Sequence, residues 1–547
     1  MSVKKEGLAR KTQLEPGLRR VWRLLSKERY GHALAVLDQL PAVFAQPPAA
    51  LWMRGVALSG VSRHSEAVDA LRTAMPFLNE LDRARCAIDM ALTLAKMAKQ
   101  DEAAEQVHFC RQICDALGAA AELAICDFLD LFILQRKNLH HDYLKGYAQV
   151  SQNLLALGKP EWRVYAYTQA AFSLRMLGNF EEAGALADAI LPDARRLGLA
   201  YRQSQLWFTK AVSNLLLNNY HRALHSLKKA EFFCLESGGQ VLMADIVLAK
   251  GNLAESTGDT QSAIHFYSQA AQLHDRAGFI EGNARALADV GTIHNIRGEI
   301  QNAGAYFQQA HELIKSQSGN DLEIQIHLRM GAIQTTLGND AEAESLFAKV
   351  FEQSGAPLWL KAKAACFFAY VCPDERFESA LERAKTILDL CPPSIFLTVA
   401  QRVLGERLAE KHRWEEARPL LMSAVNGSRQ WPQQNAMALI RLAECDLDEL
   451  THRPVALNDA LRRIRDIRQK LRNIKRQARL LPDLSARVAL VEADLAQMQN
   501  EPTQALAHLK EAIQNLRVIR LSGDDPVLTS ALAATFDPVY WRGARLA

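Results

Sequence analysis

One alanine recurs at a fixed interval through the middle of the chain. Ala183, Ala223, Ala263, Ala303 and Ala343 stand at four successive intervals of 40 residues. A period of this length predicts one small structural unit used again and again, because such units bury their apolar faces only by stacking on each other. The 547 residues are therefore expected to form an extended array of units, not three or four unrelated domains.

Other residue types keep a constant distance from this alanine. A small residue stands twelve positions before each of the five: Ala171, Ala211, Gly251, Gly291 and Gly331. A large apolar residue stands four positions after four of them: Leu227, Tyr267, Phe307 and Phe347. Glycine or asparagine lies between the two small positions, as at Gly258 and Gly298, where a first helix must end. The pattern predicts two antiparallel helices per unit, brought close by the small residues and separated from the next unit by the large one.

These offsets resemble those of the tetratricopeptide repeat (TPR). Matching alanines outside the regular centre, such as Ala33, Ala67, Ala417 and Ala505, extend the resemblance over residues 29–516. The resemblance implies an all-α fold, a right-handed α-solenoid superhelix of about 13 TPR-like helix-turn-helix repeats. The usual TPR period is about 34 residues. A period of 40 resembles the stretched repeats of bacterial regulatory arrays.

The spacing of the repeats also predicts how the chain is divided. We expect an N-terminal cap over 1–28, TPR-like repeats over 29–160, regular repeats over 161–354, further repeats over 355–517 and a tail of capping or docking helices over 518–547. The tail, with its Asp-Pro pairs, resembles the junction between stretched TPR arrays and CHAT (caspase-like) proteases of bacterial signalling and defence. The histidine and cysteine motifs of that protease do not occur in the chain.

Composition favours a soluble cytoplasmic protein. The N-terminus has no apolar segment of a secretory signal, and the most apolar stretch, 123–134, is interrupted by Asp127 and Asp130. Nine cysteines, an odd number without compact spacing, favour reduced thiols. The net charge of +4 is nearly balanced, so any nucleic-acid contact must be local.

The sequence gives no sign of catalysis. Cys110 and Cys114 lie one helical turn apart next to His108, but a structural zinc site needs a second close pair of ligands. Cys110 also occupies a small-residue position of its repeat, which favours packing in the core. We expect a non-enzymatic protein with no catalytic residue, no metal site and no cofactor.

The strongest local charge is a basic amphipathic helix predicted over 461–481. Its isoleucines and leucines form one stripe, and its cations cover the remaining surface. The candidate basic patch consists of Arg462, Arg465, Arg468, Arg472, Lys475, Arg476 and Arg479. This helix predicts either a solvated surface or a site for an acidic protein segment or nucleic acid, although it lacks aromatic residues for base stacking.

The favoured function is binding of a protein or peptide. In TPR proteins the first helix of each repeat lines a concave groove, and the resemblance places a mixed polar set of side chains there. These candidate partner-binding residues are Tyr165, Thr168, Arg175, Gln205, Asp245, Asn252, Glu255, Arg285, Thr292, Asn295, Gln325 and Thr335. Amides such as Asn252 and Asn295 can hydrogen-bond the backbone of an extended peptide. Nucleic-acid binding through the basic helix is the alternative function. The oligomeric state stays open, and no membrane contact is expected.

Overall fold

The structure is a computed structural model. It describes residues 16–41, 47–315, 321–353, 356–391, 397–429, 432–478 and 482–520. Most of the predicted N-terminal cap, Arg479 and the tail from residue 521 lie outside these ranges. No helix within them is both long and apolar enough to cross a membrane.

The described residues form 26 α-helices and no β-strand. The helices are α1 Pro16–Leu25, α2 Tyr30–Asp38, α3 Pro48–Gly60, α4 His64–Ala74, α5 Glu80–Lys96, α6 Gln100–Leu117, α7 Ala120–Arg136, α8 His140–Ala156, α9 Pro160–Met176, α10 Phe180–Leu197, α11 Ala200–Leu216, α12 Tyr220–Ser237, α13 Gln240–Ser256, α14 Thr260–Arg276, α15 Ile280–Ile296, α16 Ile300–Ile314, α17 Asp321–Thr336, α18 Asp340–Glu352, α19 Leu358–Val371, α20 Asp374–Leu390, α21 Thr398–Glu410, α22 Trp414–Gly427, α23 Pro432–His452, α24 Leu457–Ala478, α25 Pro482–Met498 and α26 Pro502–Arg520. A short 3-10 turn, Met75–Phe77, follows α4.

Successive helices pair in chain order, so the described residues contain 13 repeats, half of 26 helices. The first helix of each pair, helix A, carries an odd number, and the second, helix B, an even one. Each helix packs mainly on its neighbours in sequence, and helices A also contact each other from repeat to repeat. The prediction of an all-α solenoid of TPR-like repeats is confirmed, whereas the handedness of the superhelix stays a prediction.

The chain forms two compact units, Met1–Phe279 (unit 1, repeats 1 to 7) and Ile280–Ala547 (unit 2, repeats 8 to 13). Each unit has its own buried clusters of apolar side chains between successive repeats. The predicted domain boundaries at 160/161 and 354/355 stay predictions.

The small residues lie where the helices come closest. All five alanines of the 40-residue series are fully buried. A Cβ atom on Gly251 would lie 2.5 Å from the Tyr267 ring, and one on Gly291 would lie 2.8 Å from the Phe307 ring. At these two positions of helix A a side chain would collide with the large residue of helix B, so glycine leaves the space that this residue fills.

The turns between helix A and helix B use the left-handed backbone conformation. Gly258 has φ of +83° and Asn218 has φ of +59°, as expected for residue types that tolerate this conformation. Residue types that adopt it less readily occupy the same position in some repeats, among them Ala98 with φ of +60°.

The cysteines are buried and free, in line with the expectation of packed thiols. Sγ of Cys110 lies 3.7 Å from Sγ of Cys114 and 3.4 Å from Sγ of Cys126.

Candidate functional site

Within unit 1, the first repeat contacts the sixth. The backbone N–H of Ala200 donates to the Lys27 carbonyl at 3.0 Å, and the backbone N–H of Arg202 donates to the Glu28 carboxylate at 2.8 Å. Gly31 of α2 and Gly238, just after α12, pack backbone against backbone, since a Cβ on Gly238 would lie 2.8 Å from Gly31 Cα. The turn between α1 and α2 is thus joined to repeat 6 by contacts that the repeat pattern itself does not contain.

A pocket lies among the helices that these contacts bring together. The space between its lining residues, with open solvent included, is about 420 Å³. Its lining comes from repeats 1, 2, 3, 5 and 6 and consists of Tyr30, Val56, Ser59, Gly60, Asp89, Leu92, Lys96, Trp162, Tyr165 and Arg202. We call it the inner pocket. Except for Tyr30 of α2, all of these residues belong to helices A.

Arg202, which lines the inner pocket, belongs to a buried ion pair with Glu28. Arg202 and Glu28 are 4% and 1% exposed, with Arg202 Nε 3.4 Å from Glu28 Oε1. The Arg202 guanidinium also lies 3.5 Å from the centre of the Tyr165 ring, a cation–π contact. Burial opposes the charge on Arg202, but Glu28, Tyr165 and neighbouring phenols raise its pKa above the ordinary value. The cation is therefore fixed in place by a partner from another repeat.

Lys96 projects from the end of α5 into the same pocket. Its Nζ is 3.5 Å from Ser59 Oγ, a long hydrogen bond. Burial, assisted by Arg202 and Arg136, lowers the pKa of Lys96 to about 7, although Asp89 and Glu28 oppose the shift. A negative group entering the pocket would favour the charged form of this amine. The pocket therefore combines two basic side chains, Lys96 and Arg202, with the Asp89 carboxylate and with Glu28 beside Arg202.

Two further polar groups line the inner pocket. Asp89 Oδ2 accepts a hydrogen bond from Trp52 Nε1 at 2.9 Å, which orients the carboxylate. Trp162 is only 1% exposed, and its Nε1 has no hydrogen-bond partner among the described residues. A buried donor without an acceptor costs free energy, and a bound ligand can supply the acceptor.

The predicted groove residues of repeats 5 and 6 lie in or near this pocket. Tyr165 lines it, and Gln205 accepts a hydrogen bond from Arg202. Thr168 is buried, and its hydroxyl donates to the carbonyl of residue 164 at 2.7 Å, so it contributes to the helix itself. Arg175 lies farther along α9, with its guanidinium over the rings of residues 172 and 208.

The predicted groove residues of repeat 7 contact the same repeat. The Tyr267 hydroxyl lies 2.7 Å from Asn252 Oδ1 and 2.6 Å from Glu255 Oε2. Asp245 lies 3.5 Å from Nε2 of the buried His274. These three side chains thus position helix A on helix B within their own repeat.

In unit 2 two of the five predicted groove residues are exposed and three are half-buried. Asn295 and Arg285 are exposed, and Arg285 pairs with the carboxylate of residue 281 at 3.1 Å. The hydroxyls of Thr292 and Thr335 donate to backbone carbonyls four residues earlier, at 3.0 and 2.9 Å. Gln325 is half-buried.

The predicted basic helix forms as α24, and acidic residues balance part of its charge. Arg462 pairs with Asp459 at 3.4 Å, and Lys475 pairs with Glu492 at 2.9 Å. Arg465, Arg468 and Arg472 are exposed and line a groove together with residues of α25 and α26, among them Glu492 and His508. The Arg476 side chain and Arg479 lie outside the described residues.

The sequence patterns missed the most polar part of the inner pocket. Glu28, Asp89, Lys96 and Arg202 were not among the expected groove residues. One signal was present: Arg202 occupies the position that holds Leu242 one repeat later, so a cation replaces a core residue. A charged residue at a core position of a repeat indicates a special environment.

Comparison with known proteins identifies no family. No protein-family model matches the chain, and no curated protein matches it. Among solved structures, the chain is similar to the apo form of the quorum sensor NprR from B. thuringiensis, with a TM-score of 0.44 and 10% sequence identity. The alignment covers 65% of this chain and 99% of that chain. A similarity of this size carries no inference about function.

Proposed function

We propose that the protein is a non-catalytic interaction module, a cytoplasmic TPR-like solenoid that binds a peptide or protein along its helices A and regulates or scaffolds it. The inner pocket of unit 1 is the observation that carries this proposal. Most apolar side chains of the repeats are buried between helices. The inner pocket, by contrast, is lined by aromatic and ionisable side chains from five repeats.

The pocket favours a partner that offers a negative group beside an apolar one. Arg202, paired with Glu28, and Lys96 supply positive charge beside the Asp89 carboxylate. Trp162 supplies a buried N–H, and Tyr30 and Tyr165 supply aromatic surface. Charge-assisted hydrogen bonds in a partly desolvated pocket are stronger than those on an open surface. An effector enzyme, such as a caspase-like (CHAT) protease, is the partner class that the C-terminal resemblance suggests.

The test is capture of crosslinked partners from the native cell lysate with three forms of the full chain. Lys96→Met removes the pocket amine and keeps most of the side-chain volume, and Lys229→Met makes the same change on an exposed position of α12. We expect wild type and Lys229→Met to retain the same partner and Lys96→Met to lose it. A partner retained equally by all three forms would contradict the assignment of the site.

Nucleic-acid binding is the second candidate, and the exposed arginines of α24 are the observation that favours it. Arg465, Arg468 and Arg472 follow each other along one side of the helix. Binding of this kind weakens steeply with salt. A charge reversal of Arg468 and Arg472 that leaves RNA and DNA binding unchanged would exclude the helix as the site.

A further inference from the structure

A cluster of two histidines and one aspartate lies within unit 2, where repeat 11 packs against repeat 12. His412 Nδ1 is 3.1 Å from Asp448 Oδ2, and His452 Nδ1 is 3.1 Å from Asp448 Oδ1. One ligand atom from each residue lies within 4.8 Å of the other two. The imidazole ring centres are 4.7 Å apart.

The repeat itself brings these residues together. His412 and His452 are 40 residues apart, so they occupy neighbouring positions on successive repeats: His412 in the turn between α21 and α22, and His452 at the end of α23. Asp448 and His452 are four residues apart on one helix and therefore share a face. The stacking of two repeats thus adds a third ligand to a pair that a single helix already presents.

Two neighbouring features fix the cluster. Trp414 Nε1 donates to Asp448 Oδ2 at 2.8 Å, which orients the carboxylate towards the histidines. His412 has φ of +59°, at a turn position where several other repeats carry glycine or asparagine. Histidine, like asparagine, enters this conformation more often than most residue types, so the turn holds His412 beside Asp448 without unusual strain.

We propose that His412, Asp448 and His452 bind a divalent transition-metal ion, with Zn²⁺ as the reference ion. Imidazole nitrogen and carboxylate oxygen are the ligands that such ions prefer. Two ligands of one tetrahedral zinc, each about 2.1 Å from the metal, lie roughly 3.4 Å apart. The ligand atoms of the three residues lie within 4.8 Å of one another, so the exposed histidine side chains reach that spacing by turning towards a shared ion. The sequence alone predicts no metal site, so the proposal departs from that prediction.

The site is open to solvent and joins two repeats. The side chains of His412 and His452 are 54% and 53% exposed, so an ion reaches them without opening the fold. By contrast, the group His311, Glu323 and His327 is mostly buried. The bound ion would link the turn of repeat 11 to helix A of repeat 12, leaving its remaining positions to water or to a group from a partner.

The test is titration of the chelator-treated full chain with Zn²⁺ by calorimetry, with matched variants. His412→Asn removes a ligand and places a residue that tolerates the left-handed turn, so the fold is expected to persist. His452→Gln removes the second histidine at the last residue of a helix. His265→Asn, at an exposed histidine of α14, is the control.

We expect wild type and His265→Asn to bind one more equivalent of Zn²⁺ than His412→Asn or His452→Gln. Trp414→Phe, which removes the hydrogen bond to Asp448, should weaken binding about 10- to 100-fold. Zn²⁺ should also raise the melting temperature of wild type and not that of His412→Asn. The proposal is overturned if wild type binds no Zn²⁺, or if the two histidine variants bind it as wild type does.

Discussion

Replacing Glu28 by glutamine should release the first repeat from the sixth. Glutamine keeps the shape of the side chain and can still accept the Arg202 backbone N–H, but it removes the negative charge beside a guanidinium that is 4% exposed. Breaking a buried ion pair by neutralising one partner costs about 3 to 5 kcal/mol, because the other charge stays buried and uncompensated. Because each repeat of such an array is stabilised mainly by its neighbours, we expect the contact between repeats 1 and 6 to open while the other repeats stay folded.

Hydrogen exchange measures this cost locally. The amides of Ala200 and Arg202 donate to residues 27 and 28, so they report opening of this contact directly. Since about 1.4 kcal/mol corresponds to a tenfold change, their exchange should accelerate roughly 150-fold or more. Arg29→Gln breaks the neighbouring pair with Glu236, in which both side chains are at least one third exposed. In that variant, the free energy of opening that the exchange rates report should change by no more than about 1 kcal/mol. Equal effects of the two variants would refute the role given to the buried pair.

Three further predictions concern the packing within the repeats and the inner pocket. Gly291→Val should lower the melting temperature, with a loss of about 1 to 3 kcal/mol, because its Cβ would lie 2.8 Å from the Phe307 ring; unchanged melting would contradict the close packing. Tyr267→Phe should cost about 1 to 3 kcal/mol in denaturant unfolding, because the hydroxyl contacts both Asn252 and the Glu255 carboxylate. The pKa of Lys96 is lowered to about 7, so the unfolded chain binds more protons between that pH and the ordinary value of 10.5. Wild type should therefore gain stability relative to Lys96→Met as pH rises from 7 to 9, by at most about 1.4 kcal/mol per pH unit; a difference independent of pH would refute the shift.

The sequence predicted the parts of the fold that repeat. Gly251 packs against the Tyr267 ring within one repeat, and Ala263 of the same repeat is fully buried. Packing between residues this close in sequence can be predicted from their spacing. The same spacing correctly predicted where helix A ends, because left-handed turns select glycine and asparagine, as at Gly258.

The contact between Glu28 and Arg202 could not be found in this way. The two residues are separated by 174 positions, and their meeting depends on the small rotation from each repeat to the next, summed over five repeats. No local pattern encodes that sum. The sequence pattern also placed Asn252 and Glu255 among the partner-binding residues of the groove. In the structure both contact the hydroxyl of Tyr267, which the pattern predicted only as a packing residue.

The central claim is that a partner binds at the inner pocket, and site-specific photo-crosslinking in the native cell tests it most directly. A photoreactive amino acid at Val56, a half-buried residue of the pocket lining, is compared with one at Leu235 of α12, which is 68% exposed. We predict a discrete crosslinked partner from position 56 that disappears in the Lys96→Met background, and none from position 235. A partner crosslinked from position 235 and not from position 56 would contradict the claim.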